Sequence, residues 1–77
     1  MLVDGVAHES KVGYVRFSRR IQRQIEKDAA LLNAERIDGA RWHFFASPRS
    51  NSLGADPRVL DLLEANGIGY TIHLPNG

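Results

Sequence analysis

Apolar and polar positions repeat at two periods along the chain, and each change of period marks an element. Leu2-Val3 and Val6-Ala7 are short apolar runs separated by Asp4-Gly5. An Asp-Gly pair in that setting predicts a tight hairpin, because a type I′ turn needs positive φ at both central residues. The second arm is expected from Val6 to about Val15. Side chains alternate across a strand, so Ala7, Glu9, Lys11 and Gly13 share one face. Val6, His8, Ser10, Val12 and Tyr14 share the other.

A helical period follows. Ser18 is a suitable N-cap, and Ile21, Ile25, Ala29 and Leu32 form one apolar stripe. Arg19, Arg23, Glu26 and Lys27 lie opposite. The helix is expected to end between Asn33 and Arg36, ahead of a turn at Asp38-Gly39. Trp42-His43-Phe44-Phe45-Ala46 reads as a buried strand. Residues 47–55 hold Pro, Ser, Asn and Gly and read as a loop. Asp56-Pro57 supplies an N-cap with proline at the first helical position. Val59, Leu60 and Leu63 give that helix its apolar side, and Gly67 stops it. Tyr70 to Leu74 alternates as a last strand. The order hairpin–helix–strand–helix–strand predicts an α/β fold whose parallel or mixed sheet is flanked by helices.

Composition narrows this to one domain. The chain has 77 residues, with no room for a second folded unit. It has no cysteine, which excludes a disulfide framework and any thiolate zinc site. Apolar runs stop at three or four residues, against the ~20 that span a bilayer. No basic stretch followed by an apolar one marks a signal peptide. Because a strand already begins at Leu2, further sequence is expected upstream of Met1.

Net charge is +1, from ten Lys and Arg against nine Asp and Glu. That near-neutral total hides a basic block. Lys11, Arg16, Arg19, Arg20, Arg23 and Lys27 fall in one span whose only acid is Glu26. Cations at the start of a helix oppose its dipole, so Arg16, Arg19 and Arg20 suit a polyanion better than they suit helix stability. The plainer reading, a solvated helix face, accounts for Arg23 and Lys27.

The chemistry-bearing segment is His8-Glu9-Ser10-Lys11. Glu9 and Lys11 project from the same face of a strand. A carboxylate there can hold Mg²⁺, a neighbouring ammonium can stabilise charge building on a phosphate, and the Ser10 backbone carbonyl can add a metal oxygen. Taken alone, Glu-x-Lys is a common ion pair on a solvated strand. His8, His43 and His73 sit on three expected strands without local ligand spacing, and a structural role is expected for them rather than a metal triad. Trp42, Phe44, Phe45 and Tyr70 are expected in the core. Arg49 reads as a surface arginine with phosphate contact as its alternative. Ser18 and Ser47 have no partnered base, so nucleophilic catalysis has no support.

Hairpin, strand with Glu-x-Lys, helix with glutamine and basic residues, then an aromatic strand: this order resembles the PD-(D/E)xK, or restriction-endonuclease-like, nuclease superfamily. Val-Ala-His-Glu-Ser-Lys-Val-Gly-Tyr at 6–14, Gln-Ile-Glu-Lys-Asp at 24–28 and Trp-His-Phe-Phe-Ala-Ser at 42–47 resemble the nuclease toxin domains that end bacterial polymorphic toxins. The resemblance covers roughly residues 2–74. It implies a restriction-endonuclease-like core and Mg²⁺-dependent hydrolysis of DNA. Glu9 would hold the metal, and Lys11 would position water or stabilise the transition state. Gln22 or Gln24 would match the helix glutamine that supports such sites; Gln24 lies beside the stripe of Ile21 and Ile25. The resemblance also implies delivery on a larger secreted toxin, action in a target-cell cytoplasm and a cognate immunity protein.

The family needs an Asp on the strand before Glu-x-Lys. Asp4 is the one candidate, and its Asp-Gly setting says turn, about 13 Å from Glu9 at strand rise. The metal-binding Asp is therefore expected upstream of Met1, and this chain is expected to be a partial domain. Two alternatives stand beside the nuclease. One is an inactive remnant that binds nucleic acid through the face Arg16–Lys27. The other is an interaction module whose basic face meets an acidic protein.

Overall fold

The computed structural model describes residues 2–50 and 52–74. Six elements follow in order: β1 (Leu2–Val3), β2 (Val6–Val12), α1 (Arg19–Asn33), β3 (Gly39–Phe45), α2 (Pro57–Ala65) and β4 (Gly69–His73). The protein is a small α/β domain with a four-stranded mixed sheet in the order β1-β2-β3-β4. β1 pairs antiparallel with β2, while β2 with β3 and β3 with β4 are parallel. Each parallel pair is joined through a helix, as a parallel connection requires.

The local signals act as their chemistry dictates. Asp4 and Gly5 have φ of 52° and 82°, the left-handed pair that closes the two-residue hairpin. Gly5 is constrained twice, since a Cβ there would also strike the Asp38 carboxylate. The Ser18 hydroxyl accepts the Ile21 amide, capping α1. Asp56 caps α2 by accepting from the Arg58 amide, with Pro57 at the helix start. The Arg58 side chain also pairs with Asp56, and these bonds hold that carboxyl down at about 2.

The second arm of the hairpin is shorter than expected. It leaves the sheet after Val12, and Val15 forms an isolated bridge to Ala55 instead. That bridge, with the Val15 amide bonded to the Gly54 carbonyl, draws the start of α1 towards the start of α2.

The mixed sheet carries its two helices as the sequence leads one to expect, and both pack on one face of it. Ile25 of α1 and Val59 and Leu63 of α2 form a single cluster with Ala40, Trp42 and Phe44 of β3. Those three β3 residues alternate along one side of the central strand. The other side carries Arg41, His43 and Phe45, and Phe45 is 38% exposed rather than in the core. Two helices spanning a small sheet cover one face of it, so β3 is buried on that side alone. Tyr70, on the same face as Trp42, is partly buried against the cluster, as the sequence suggests.

Candidate functional site

Pairing register places Glu9 beside Trp42 and Lys11 beside Phe44 on the helix-covered face. β2 lies towards the margin of the helical layer, so this face is only partly covered there. The Glu9 side chain remains 44% exposed while that of Lys11 is 18% exposed. The Lys11 ammonium lies 3.2 Å from Glu9 Oε2 and donates to Gln24 Oε1 at 2.5 Å. It also sits 5.2 Å from the centroid of the buried Trp42 ring, a cation–π contact. Three partners thus hold one ammonium, and its carboxylate partner still faces solvent.

The structure separates the two glutamines. Gln24 reaches Lys11, whereas Gln22 bonds Glu26 on the exposed side of α1. Gln24 is placed this way because it borders the apolar stripe, within one helical step of Ile25. Asp28, one turn further on, accepts the Trp42 indole N–H at 2.9 Å. Asp28 and Trp42 were not among the residues singled out for chemistry. The available signal was the i, i+4 spacing of Gln24 and Asp28, which puts both on one strip of α1.

Asp4 is not brought to Glu9. It occupies the hairpin turn, and Glu9 lies three residues beyond Val6 along β2, about 10 Å at strand rise. Ser10 lies between Glu9 and Lys11 in the paired part of β2, opposite His43. Among the described residues, no three His, Asp or Glu side chains converge on one metal-sized centre. Arg16, Arg19, Arg20, Arg23 and Lys27 are all exposed. None of them makes an ion pair with a described residue. Arg20 and Lys27 flank Gln24 at i−4 and i+3, so the basic strip of α1 adjoins the strip that faces Lys11. Arg49 is exposed in the loop after β3, and its amide bonds Ser47.

The opposite sheet face holds a feature that sequence spacing did not reveal. His8, His43 and His73 lie on three adjacent strands and touch in a row. His8 Nδ1 is 2.8 Å from His43 Nε2, and His43 Nδ1 is 2.9 Å from His73 Nε2. Partial burial lowers the His43 pKa, and His8, His73 and Arg41 lower it further. The unfolded chain therefore binds more protons than the fold below about pH 6.5, and stability falls as the solution is acidified through that range. The urea midpoint is expected to be lower at pH 5 than at pH 8, with the difference reduced in His43→Gln. Equal midpoints for the native chain would contradict this.

A shallow hollow of about 390 Å³ is lined by Phe17, Arg58, Asp61, Leu62 and Ala65, none of which belongs to either cluster. Among the described residues, no helix is long and apolar enough to cross a membrane. No family model, curated protein or solved structure matches this chain.

Proposed function

We propose that the Glu9–Lys11–Gln24 cluster is the half-site of a divalent-metal-dependent nuclease, in a core of the restriction-endonuclease-like type. The supporting observation is the Lys11 ammonium, held against Glu9 and Gln24 at the margin of the helical layer and beside a basic strip that makes no ion pair among the described residues. An ammonium fixed in place needs no reorganisation when charge builds on a phosphate.

The donor set suits Mg²⁺, which keeps several waters and takes one or two carboxylates plus substrate phosphate oxygens. Glu9 is accessible, and only its Oε2 is engaged with Lys11. Glu9 would hold the ion, with the Ser10 carbonyl as a further oxygen. The metal supplies Lewis-acid activation and a nucleophilic water. Lys11 faces the same solvent opening and offsets phosphate charge. Gln24 keeps the ammonium oriented, and Asp28 does so indirectly by fixing the Trp42 ring beneath it. Arg19, Arg20, Arg23 and Lys27, with Arg16 ahead of them, would align the polyanion along α1.

Plasmid cleavage in Mg²⁺ by this chain and by one extended upstream of Met1, each with and without substitutions at Glu9 and Lys11, tests this reading. If the substituted chains cut DNA as well as the native chain, the reading fails.

Binding is separable from cleavage. Affinity for duplex DNA is expected to fall log-linearly with salt, each lost phosphate contact reducing the slope by roughly 0.9. Arg19→Gln, Arg20→Gln and Arg23→Gln together should flatten that slope. A slope unchanged by the triple substitution would place the nucleic acid elsewhere.

The resemblance extends the proposal to a toxin effector with an immunity partner. An acidic protein on the same basic strip is the rival that a DNA-free pull-down with an acidic partner distinguishes. An inactive DNA-binding remnant would show the salt dependence without the cleavage.

A further inference from the structure

The histidine row lies on the sheet face opposite Glu9, outside the proposed nuclease site. Its members are diagonal neighbours, since His8 lies opposite Arg41 and His73 opposite Phe45. The side chains lean towards one another across that diagonal, bringing ring centroids to 5.0 Å for His8–His43 and 5.1 Å for His43–His73. The rings therefore meet edge to edge, nitrogen against nitrogen, along a diagonal of β2, β3 and β4.

A neutral imidazole carries one N–H and one lone pair. His43 has a contact at each nitrogen, so it donates at one and accepts at the other. With its proton on Nδ1, it donates to His73 Nε2 and turns the Nε2 lone pair towards His8. An imidazole bound to a metal usually makes this second bond, which sets its tautomer. His73 is itself held in place, since the Phe45 ring stacks on it at 4.4 Å with 8° between planes.

We propose that His8 Nδ1 and His43 Nε2 form a two-imidazole site for a borderline divalent transition-metal ion such as Zn²⁺, with His73 as the orienting partner of His43. Two nitrogens at ~2.0–2.1 Å from a tetrahedral ion stand about 3.3 Å apart, so the 2.8 Å contact must open by about half an ångström and each ring must turn by roughly 35° for both lone pairs to meet the ion. His8 carries its proton on Nε2 when Nδ1 binds the ion, and no proton is released. Waters complete the shell. The exposed Ser10 side chain lies on the same face, directly across from His43. Arg41, a cation on this face, is turned towards β4, where it donates to the Tyr70 carbonyl and the Thr71 hydroxyl. Imidazole suits zinc and copper, whereas the oxygens of the opposite face suit magnesium, so the two sites differ in chemistry as well as position.

The test is calorimetric titration of the whole chain with ZnCl₂ at pH 7.5. One ion per chain is expected, undisturbed by millimolar MgCl₂. His8→Ala and His43→Ala should abolish the signal, while His73→Ala should weaken it ~10–100-fold. Buried Trp42 fluorescence reports whether each variant is folded. Should a variant not fold, imidazole ¹⁵N shifts of the native chain give the answer, with His8 Nδ1 and His43 Nε2 moving on addition of zinc. Absent saturable binding, native-like titration of His8→Ala or His43→Ala, competition by magnesium, or unmoved ¹⁵N shifts would each overturn the proposal. Because none of these readouts uses DNA, its failure would leave the nuclease reading untouched, and the reverse.

Discussion

Glu9→Gln and Lys11→Met are each expected to reduce Mg²⁺-dependent plasmid cleavage by ~100-fold or more, the scale of losing one fixed electrostatic stabiliser of a developing charge. The substitutions are chosen to keep shape. Glu9→Gln retains a planar group on β2 but loses the charge that attracts a hard cation. Lys11→Met retains a straight apolar stem over Trp42 while removing the ammonium that bridges Glu9 and Gln24. Gln24→Ala leaves both charges and frees the ammonium, so a smaller loss is expected, of about 10-fold. Gln22→Ala, whose partner is Glu26 on the exposed side of α1, should cut like the native chain. Ordering the four variants in a single-turnover assay separates the proposed site from a contaminating nuclease. Equal loss at Gln22 and Gln24 would show that helix stability rather than Lys11 is being read. Asp4→Ala is expected to have no effect through the metal, because the hairpin holds that residue away from Glu9.

Phe44→Ala should remove much of the chain's stability, with a large fall in the urea midpoint. Its ring is fully buried in the core cluster near the end of β3 and in edge contact with Tyr70 at 6.2 Å. Truncating a buried Phe costs about 3–5 kcal/mol. A chain of this length has a total stability of only ~4–12 kcal/mol at the usual value per residue. One residue therefore accounts for much of the margin, and the chain has no disulfide to offset the loss. Phe45→Ala is the internal control. It is the next residue along the same strand and of the same type, but it faces the open side, so a loss near 1 kcal/mol is expected. Urea titration followed by far-UV circular dichroism measures both. Similar midpoints for the two variants would mean that the helices do not cover the Phe44 side alone.

That contrast shows where one-dimensional pattern stops being informative. Trp42, Phe44 and Phe45 are equally apolar in sequence, and a short run of such residues marks a strand without saying whether both faces are covered. The number of helical layers is a property of how α1 and α2 pack together, and it sends Phe45 and His43 to the exposed side. Gln22 and Gln24 were likewise indistinguishable by type. Their fates follow from a 200° difference in helical direction, set by ~100° per residue, relative to a sheet whose position the helix alone does not specify.

The local order of elements is legible in short stretches of residues. The Asp4-Gly5 turn, the Ser18 and Asp56 caps, Pro57 and the apolar stripe of α1 are short-range effects, each decided by the φ, hydrogen bonds and side-chain period of a few neighbouring residues. Glu9 and Lys11 shared a face for the same reason, since strand alternation spans only two residues. Which partners those side chains meet depends on how distant segments fold together. Lys11 with Gln24 and Trp42, Asp28 with the Trp42 indole, and the histidine row are contacts between residues 13 to 35 positions apart in the chain or on separate strands. They depend on the parallel register of β2, β3 and β4. That register comes from burying Ala40, Trp42 and Phe44 beneath two helices at once, a sum over the whole core that no local period contains.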